Sequence, residues 1–71
     1  MNTRHSTKMV RVGIYLAEVE VDLIVTDDEW SPYLSVSDAR KLDDVRVALE
    51  HGDLKRAHHL GRVFTLTPVA V

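Results

Sequence analysis

The side chains that could carry chemistry in this chain are its histidines, its clustered carboxylates and its serine hydroxyls. The histidines are His5, His51, His58 and His59. Two histidines that share a zinc ion on one helix stand about a turn apart, usually with an acid within reach. His58 and His59 are adjacent, so on a helix they diverge by ~100°. The step from His51 to His58 crosses Gly52. Cysteine is absent, which removes thiolate ligands and disulfides together. The histidines therefore read as helix-end residues, favoured near a C-terminal dipole; no metal and no cofactor is expected.

The carboxylates gather at Asp27-Asp28-Glu29 and at Asp43-Asp44. Acid–base work needs a concave pocket that shifts a pKa, and a short chain has little volume to make one alone. The first cluster falls where a turn is expected. Neither has the alternating oxygen ligands and turn glycine of a calcium loop. Ser6, Ser31, Ser35 and Ser37 lack a nucleophile elbow or a neighbouring base. Gly13, Gly52 and Gly61 are isolated, so no phosphate-cradling loop exists. The expectation is a protein that is not an enzyme and acts by binding.

Size points the same way. A chain of 71 residues buries only roughly 60–65% of the surface its unfolded form exposes. Without cross-links, the expected supplement is a second chain, with a homodimer the first candidate. No apolar run approaches the ~20 residues of a membrane span, and Met1–Lys8 is too polar for a signal peptide; a cytoplasmic location is expected. The formal net charge of -2 gives the whole molecule no strong pull on nucleic acid. The charge is segregated, however. Residues 1–15 carry Arg4, Lys8 and Arg11 and no acid, whereas residues 16–29 carry Glu18, Glu20, Asp22, Asp27, Asp28 and Glu29 and no base.

The elements that would hold these residues follow from periodicity. Residues 1–8 are expected as a flexible leader and residues 9–71 as one domain. From Met9 the apolar positions alternate as in a half-buried strand. Val10, Val12, Ile14 and Leu16 share one parity, and Val19, Val21, Leu23 and Val25 the other. A single strand over 9–26 would run about 58 Å at ~3.3 Å per residue, against a domain diameter of roughly 30 Å. A bulge near Leu16–Glu18 that flips the parity, a bend that divides residues 9–26 into two strands, or a projecting arm resolves the conflict. After the acidic turn, residues 30–35 read as a short strand that Pro32 confines to an edge. Ser35 or Ser37 caps a helix running to His51, with Leu42, Val45, Ala48 and Leu49 on its apolar side. Gly52 ends it and Asp53 starts a second, short helix with Leu54, Ala57 and Leu60 inward, stopped at Gly61. Residues 63–67 form a last strand, expected beside residues 18–26. The fold class is α+β: a small two-layer domain, with a three- to four-stranded antiparallel sheet and one main helix and a short second helix on one face.

Two stretches carry family resemblances. Lys8-Met-Val-Arg-Val-Gly-Ile-Tyr15 resembles the basic strand that opens ribbon-helix-helix proteins, although here an acidic strand follows where that family has a helix. That resemblance implies a strand that pairs across a dimer and reads DNA; the alternative reading of the whole chain is a small DNA-binding protein that uses Arg4, Lys8 and Arg11 of a basic N-terminal strand. Residues 18–69 are similar in outline to small antitoxin-like bacterial proteins: Val19-Glu-Val-Asp-Leu-Ile-Val, an acidic turn, Trp30-Ser-Pro-Tyr-Leu-Ser, a helix from Asp38, and Val63-Phe-Thr-Leu-Thr-Pro-Val. The hairpin followed by a helix resembles HicB-type antitoxins, without their Gly-Cys segment. That resemblance implies a non-enzymatic protein that binds a cognate partner. The reading preferred from the residues is strand-mediated dimerisation or partner binding through Tyr15, Glu18, Glu20 and Asp22, with Trp30 and Tyr33 beside them.

Overall fold

The computed structural model describes residues 2–26 and 32–70. The long alternating region is a β-hairpin. Strand β1 (Asn2–Val12) pairs antiparallel with β2 (Tyr15–Val25), in unbroken register from Asn2↔Val25 to Val12↔Tyr15. The reversal is made by Gly13 and Ile14. Gly13 has φ 58°, and no described residue other than glycine has positive φ. A glycine at positive φ followed by a residue at negative φ is the type II′ turn, whose twist suits a hairpin.

This corrects the bulge expected near Leu16–Glu18. A two-residue loop places Val12 and Tyr15 opposite each other on one face, so the apolar parity switches at the turn. A bulge would produce the same switch, and Gly13 is the residue that separates the two readings. Residues 2–8, expected as a leader, are a second correction: they are the first half of β1, opposite Val25–Val19.

After the undescribed segment, Pro32 leads into the short β3 (Tyr33–Leu34), which pairs with Leu23 and Ile24. Helix α1 (Val36–Glu50) follows at once. Ser35 is its N-cap, and the hydroxyl accepts the Asp38 N–H at 3.1 Å. At the other end, the Gly52 N–H donates to the Leu49 carbonyl, with Gly52 at φ 70°. That conformation disfavours a Cβ and ends the helix. Asp53 caps α2 (Leu54–Leu60) by accepting the Arg56 N–H.

Strand β4 (Arg62–Thr65) then pairs with Glu18–Tyr15. It lies beside the strand expected to hold residues 18–26, but meets that stretch only at Glu18; β3 and β4 share one edge of β2, each covering one end, because β1 occupies the whole of the other edge. The sheet is four-stranded and antiparallel, with β2 central.

Both helices lie on one face of this sheet, giving the two-layer α+β domain. Ala17, Val19 and Val21 of β2 meet Val45, Ala48 and Leu49 of α1 and Ala57 of α2, all buried. The apolar side of α1 faces the sheet as its 3.6-residue period requires, and Val47 on its far side is exposed. No described helix is long and apolar enough to cross a membrane.

Candidate protein-interaction surface

No described residue covers the face of the sheet away from the helices. That face carries the odd-numbered side chains of β1 (Thr3, His5, Thr7, Met9, Arg11) and the even-numbered ones of β2 (Leu16, Glu18, Glu20, Asp22, Ile24), since directly opposed residues point the same way. His5 sits between two of the acids, its Nε2 3.1 Å from Glu20 and its Nδ1 3.5 Å from Asp22. Glu18, Glu20 and Asp22 therefore do share one face, with Tyr33 on the same side opposite Ile24.

Tyr15 does not join them. It has the opposite parity and packs half-buried against the helix-side core, which corrects its grouping with the acids. Trp30 lies outside the described residues. Sequence reasoning missed the apolar end of this face. Met9 is 64% exposed and Phe64 38% exposed. Leu16 is opposite Phe64 and one step diagonal from Met9, and the Arg62 guanidinium lies 5.5 Å from the Phe64 ring centroid.

Between β4 and β3 the edge of β2 has no described strand beside it, and α1 fills part of the break with side chains. The Lys41 Nζ donates to the Glu20 carbonyl at 2.9 Å, and an Asp38 carboxylate oxygen accepts the Asp22 N–H at 2.9 Å. The break opens into a cleft of about 370 Å³ lined by Glu18, Glu20, Lys41, His58, His59 and Arg62 among others.

These two bonds also set the direction of every backbone group in the hairpin. Even-numbered residues of β2 turn their N–H and C=O toward β3, β4 and the break. Odd-numbered ones must then exchange bonds with β1, because the ladder alternates. The β1 partners of those odd residues are Asn2, Arg4, Ser6, Lys8, Val10 and Val12. It follows that Thr3, His5, Thr7, Met9 and Arg11 present their backbone N–H and C=O outward, along an edge that no described strand covers.

The three expected nucleic-acid contacts all lie on β1 and are exposed, but not on one face. Arg4 and Lys8 are on the helix side and Arg11 on the open side. Their cross-strand partners are apolar: Leu23 for Arg4, Val19 for Lys8 and Leu16 for Arg11. None of the three is ion-paired among the described residues.

The residues first considered for chemistry are dispersed or structural. The His51 ring Nδ1 lies 3.0 Å from the Val47 carbonyl and closes the end of α1. Asp43 pairs with Arg46, which also reaches Glu50 at 2.8 Å. The Asp43 hydrogen bond foremost, then the charges of Asp43 and Glu50, hold the Arg46 guanidinium above its ordinary value. Among the described residues no group of three or more His, Asp or Glu side chains could hold a metal ion. Asp27, Asp28, Glu29 and Ser31 lie outside them. No family model, curated protein sequence or solved structure matches this chain.

Proposed function

We propose that this chain is a non-enzymatic protein-interaction module that takes an extended segment of a partner as an added strand on the outer edge of β1. The observation that carries this is β1 itself: 11 residues of edge strand with no proline, glycine or bulge inside it. Soluble proteins usually shorten, bend or cover such an edge, because its unpaired N–H and C=O groups are a template for another strand. On the open face, Met9 of β1 itself is 64% exposed and gives a side chain of the added segment an apolar neighbour. An antitoxin-like role, binding a cognate protein, is one form of this activity.

The charges favour a different chain over a second copy. A two-fold pairing of two β1 strands opposes residues of equal parity, so it collects Arg4 and Lys8 of both chains on one side of the joined sheet. Like charges that close are destabilising.

The test is a selection of displayed peptides on the immobilised protein, followed by amide-shift mapping. Selected peptides are expected to move the amides of Thr3, His5, Thr7, Met9 and Arg11, and to lose binding to the Thr7→Pro variant. Thr7 turns its N–H outward, so proline there blocks the outer edge and leaves the bonds to β2 in place. Peptides that map to the cleft or the helices, or that still bind Thr7→Pro, would overturn the proposal.

A further inference from the structure

We infer that the segment docked on β1 is acidic, with carboxylates placed to meet Arg4, Lys8 and Arg11; this rests on the strand-addition reading above. A residue in a sheet has two direct cross-strand neighbours, one on each side. For these three cations the inner neighbours are Leu23, Val19 and Leu16, so nothing opposite them in β2 balances their charge. His5 differs: its inner neighbour is Asp22, and Glu20 is one step diagonal from it, so that acid pair already engages its ring. The hairpin thus engages the one β1 imidazole with two acids, whereas Arg4 and Lys8 have no acid of β2 beside them, and Arg11 has Glu18 only one step diagonal, without an ion pair, while its Nε donates to the Gly13 carbonyl at 3.5 Å.

The register makes the requirement specific. In an antiparallel added strand, the positions opposite Arg11, Lys8 and Arg4 are n, n+3 and n+7. The first falls on the open face and the other two on the helix side. An alternating helix-binding or loop-binding epitope would not place acids at those intervals on both faces of an extended chain. A strand of this pattern also matches the backbone: the outward N–H and C=O groups of Thr3 to Arg11 supply the ladder, and the acids supply register.

The experiment uses three synthetic peptides titrated into the isotopically labelled full chain. The first has glutamates at its first, fourth and eighth positions and Thr or Val elsewhere; the second and third carry Gln and Lys at those positions. At ~50 mM salt the Glu peptide is expected to bind about tenfold more tightly than the Gln peptide, and the Lys peptide more weakly still. The difference should close above ~0.5 M salt, where surface charges are screened within a few ångström. The double variant Lys8→Glu, Arg11→Glu is expected to reverse the preference toward the Lys peptide.

Equal binding of the Glu and Gln peptides to the β1 amides would overturn the acidic assignment and leave strand addition standing. If no peptide moves those amides, strand addition falls with it. A short DNA duplex that shifts the Arg4, Lys8 and Arg11 signals, where the Glu peptide does not, would make the basic strand a nucleic-acid surface. Concentration-dependent broadening of the same signals in the free protein would make the occupant a second copy. Either result overturns the inference.

Discussion

Gly61 is the residue that lets β4 meet β2. A Cβ built on it would stand 2.5 Å from the Glu18 carbonyl oxygen and 3.1 Å from a Val19 methyl, and the nearer of these is backbone that cannot swing away. Gly61→Ala should therefore cost about 1–3 kcal/mol, as overpacking does, read as a lower urea midpoint with an unchanged slope. Gly13 needs its glycine for another reason. Nothing lies within 4 Å of a Cβ there, and only the positive φ of 58° penalises a side chain. From the sequence both glycines are punctuation of the same kind. That one marks a close approach and the other a left-handed turn depends on what each faces. The N-cap was legible without the structure, because Ser35 and Ser37 announce a helix start by type and position. The geometry then selects Ser35, and Ser35→Ala should cost about 1 kcal/mol of stability in the same assay. Lys41 and Asp38 were not legible in their roles. By type and position Lys41 reads as a solvated charge and Asp38 as a first-turn acid favoured by the helix dipole, and only the break between β3 and β4 gives them backbone groups of β2 to satisfy.

At the scale of elements, the hairpin is where periodicity alone fell short. A two-residue turn and a bulge both switch the parity of an alternating pattern, and Arg11, Gly13 and Tyr15 can be read as one outward set. The pairing of Val12 with Tyr15 settles the turn at Gly13–Ile14. It also recruits residues 2–8, whose polarity had argued for a leader. Those residues can be polar and still form a strand because most of them lie on an edge with water on one side. The two helices were clear by contrast, since caps, apolar stripe and stop signals agreed with one another. The alternation of β1 yields a paired prediction. Thr7→Pro should leave the melting temperature close to that of the parent. Lys8→Pro should lower it clearly, because it removes the donor to the Val19 carbonyl and leaves a buried acceptor unmet, at roughly 1–3 kcal/mol. Equal effects of the two substitutions would mean that the outer and inner sides of β1 are wrongly assigned.

For the molecule as a whole, the core is small and built largely of short side chains. Among the described residues, Val19 and Val45 are the largest fully buried ones, both with no exposure. Val45→Ala should cost about 2 kcal/mol, mostly lost transfer energy with a small cavity term. Val47→Ala, on the exposed side of the same helix, should stay within about 0.5 kcal/mol; thermal melts of the two compare buried and exposed valine on one element. The Cα envelope of 46 × 30 × 14 Å is that of a thin two-layer plate, with one sheet face and one long edge that no described residue covers. What the sequence by itself determined is the class of fold, the helices with their caps, and the segregation of base and acid into successive strands. These depend on local periods of two and 3.6 residues and on residue type, which are present in the chain before it folds. Only the tertiary structure decided that basic and acidic strands are hairpin partners and that Tyr15 turns away from the acids. It also decided that Arg4, Lys8 and Arg11 each stand opposite an apolar residue. Register is the reason: a shift of one residue would exchange every neighbour and every face, and it is set by a turn, a glycine contact and a shared core acting together.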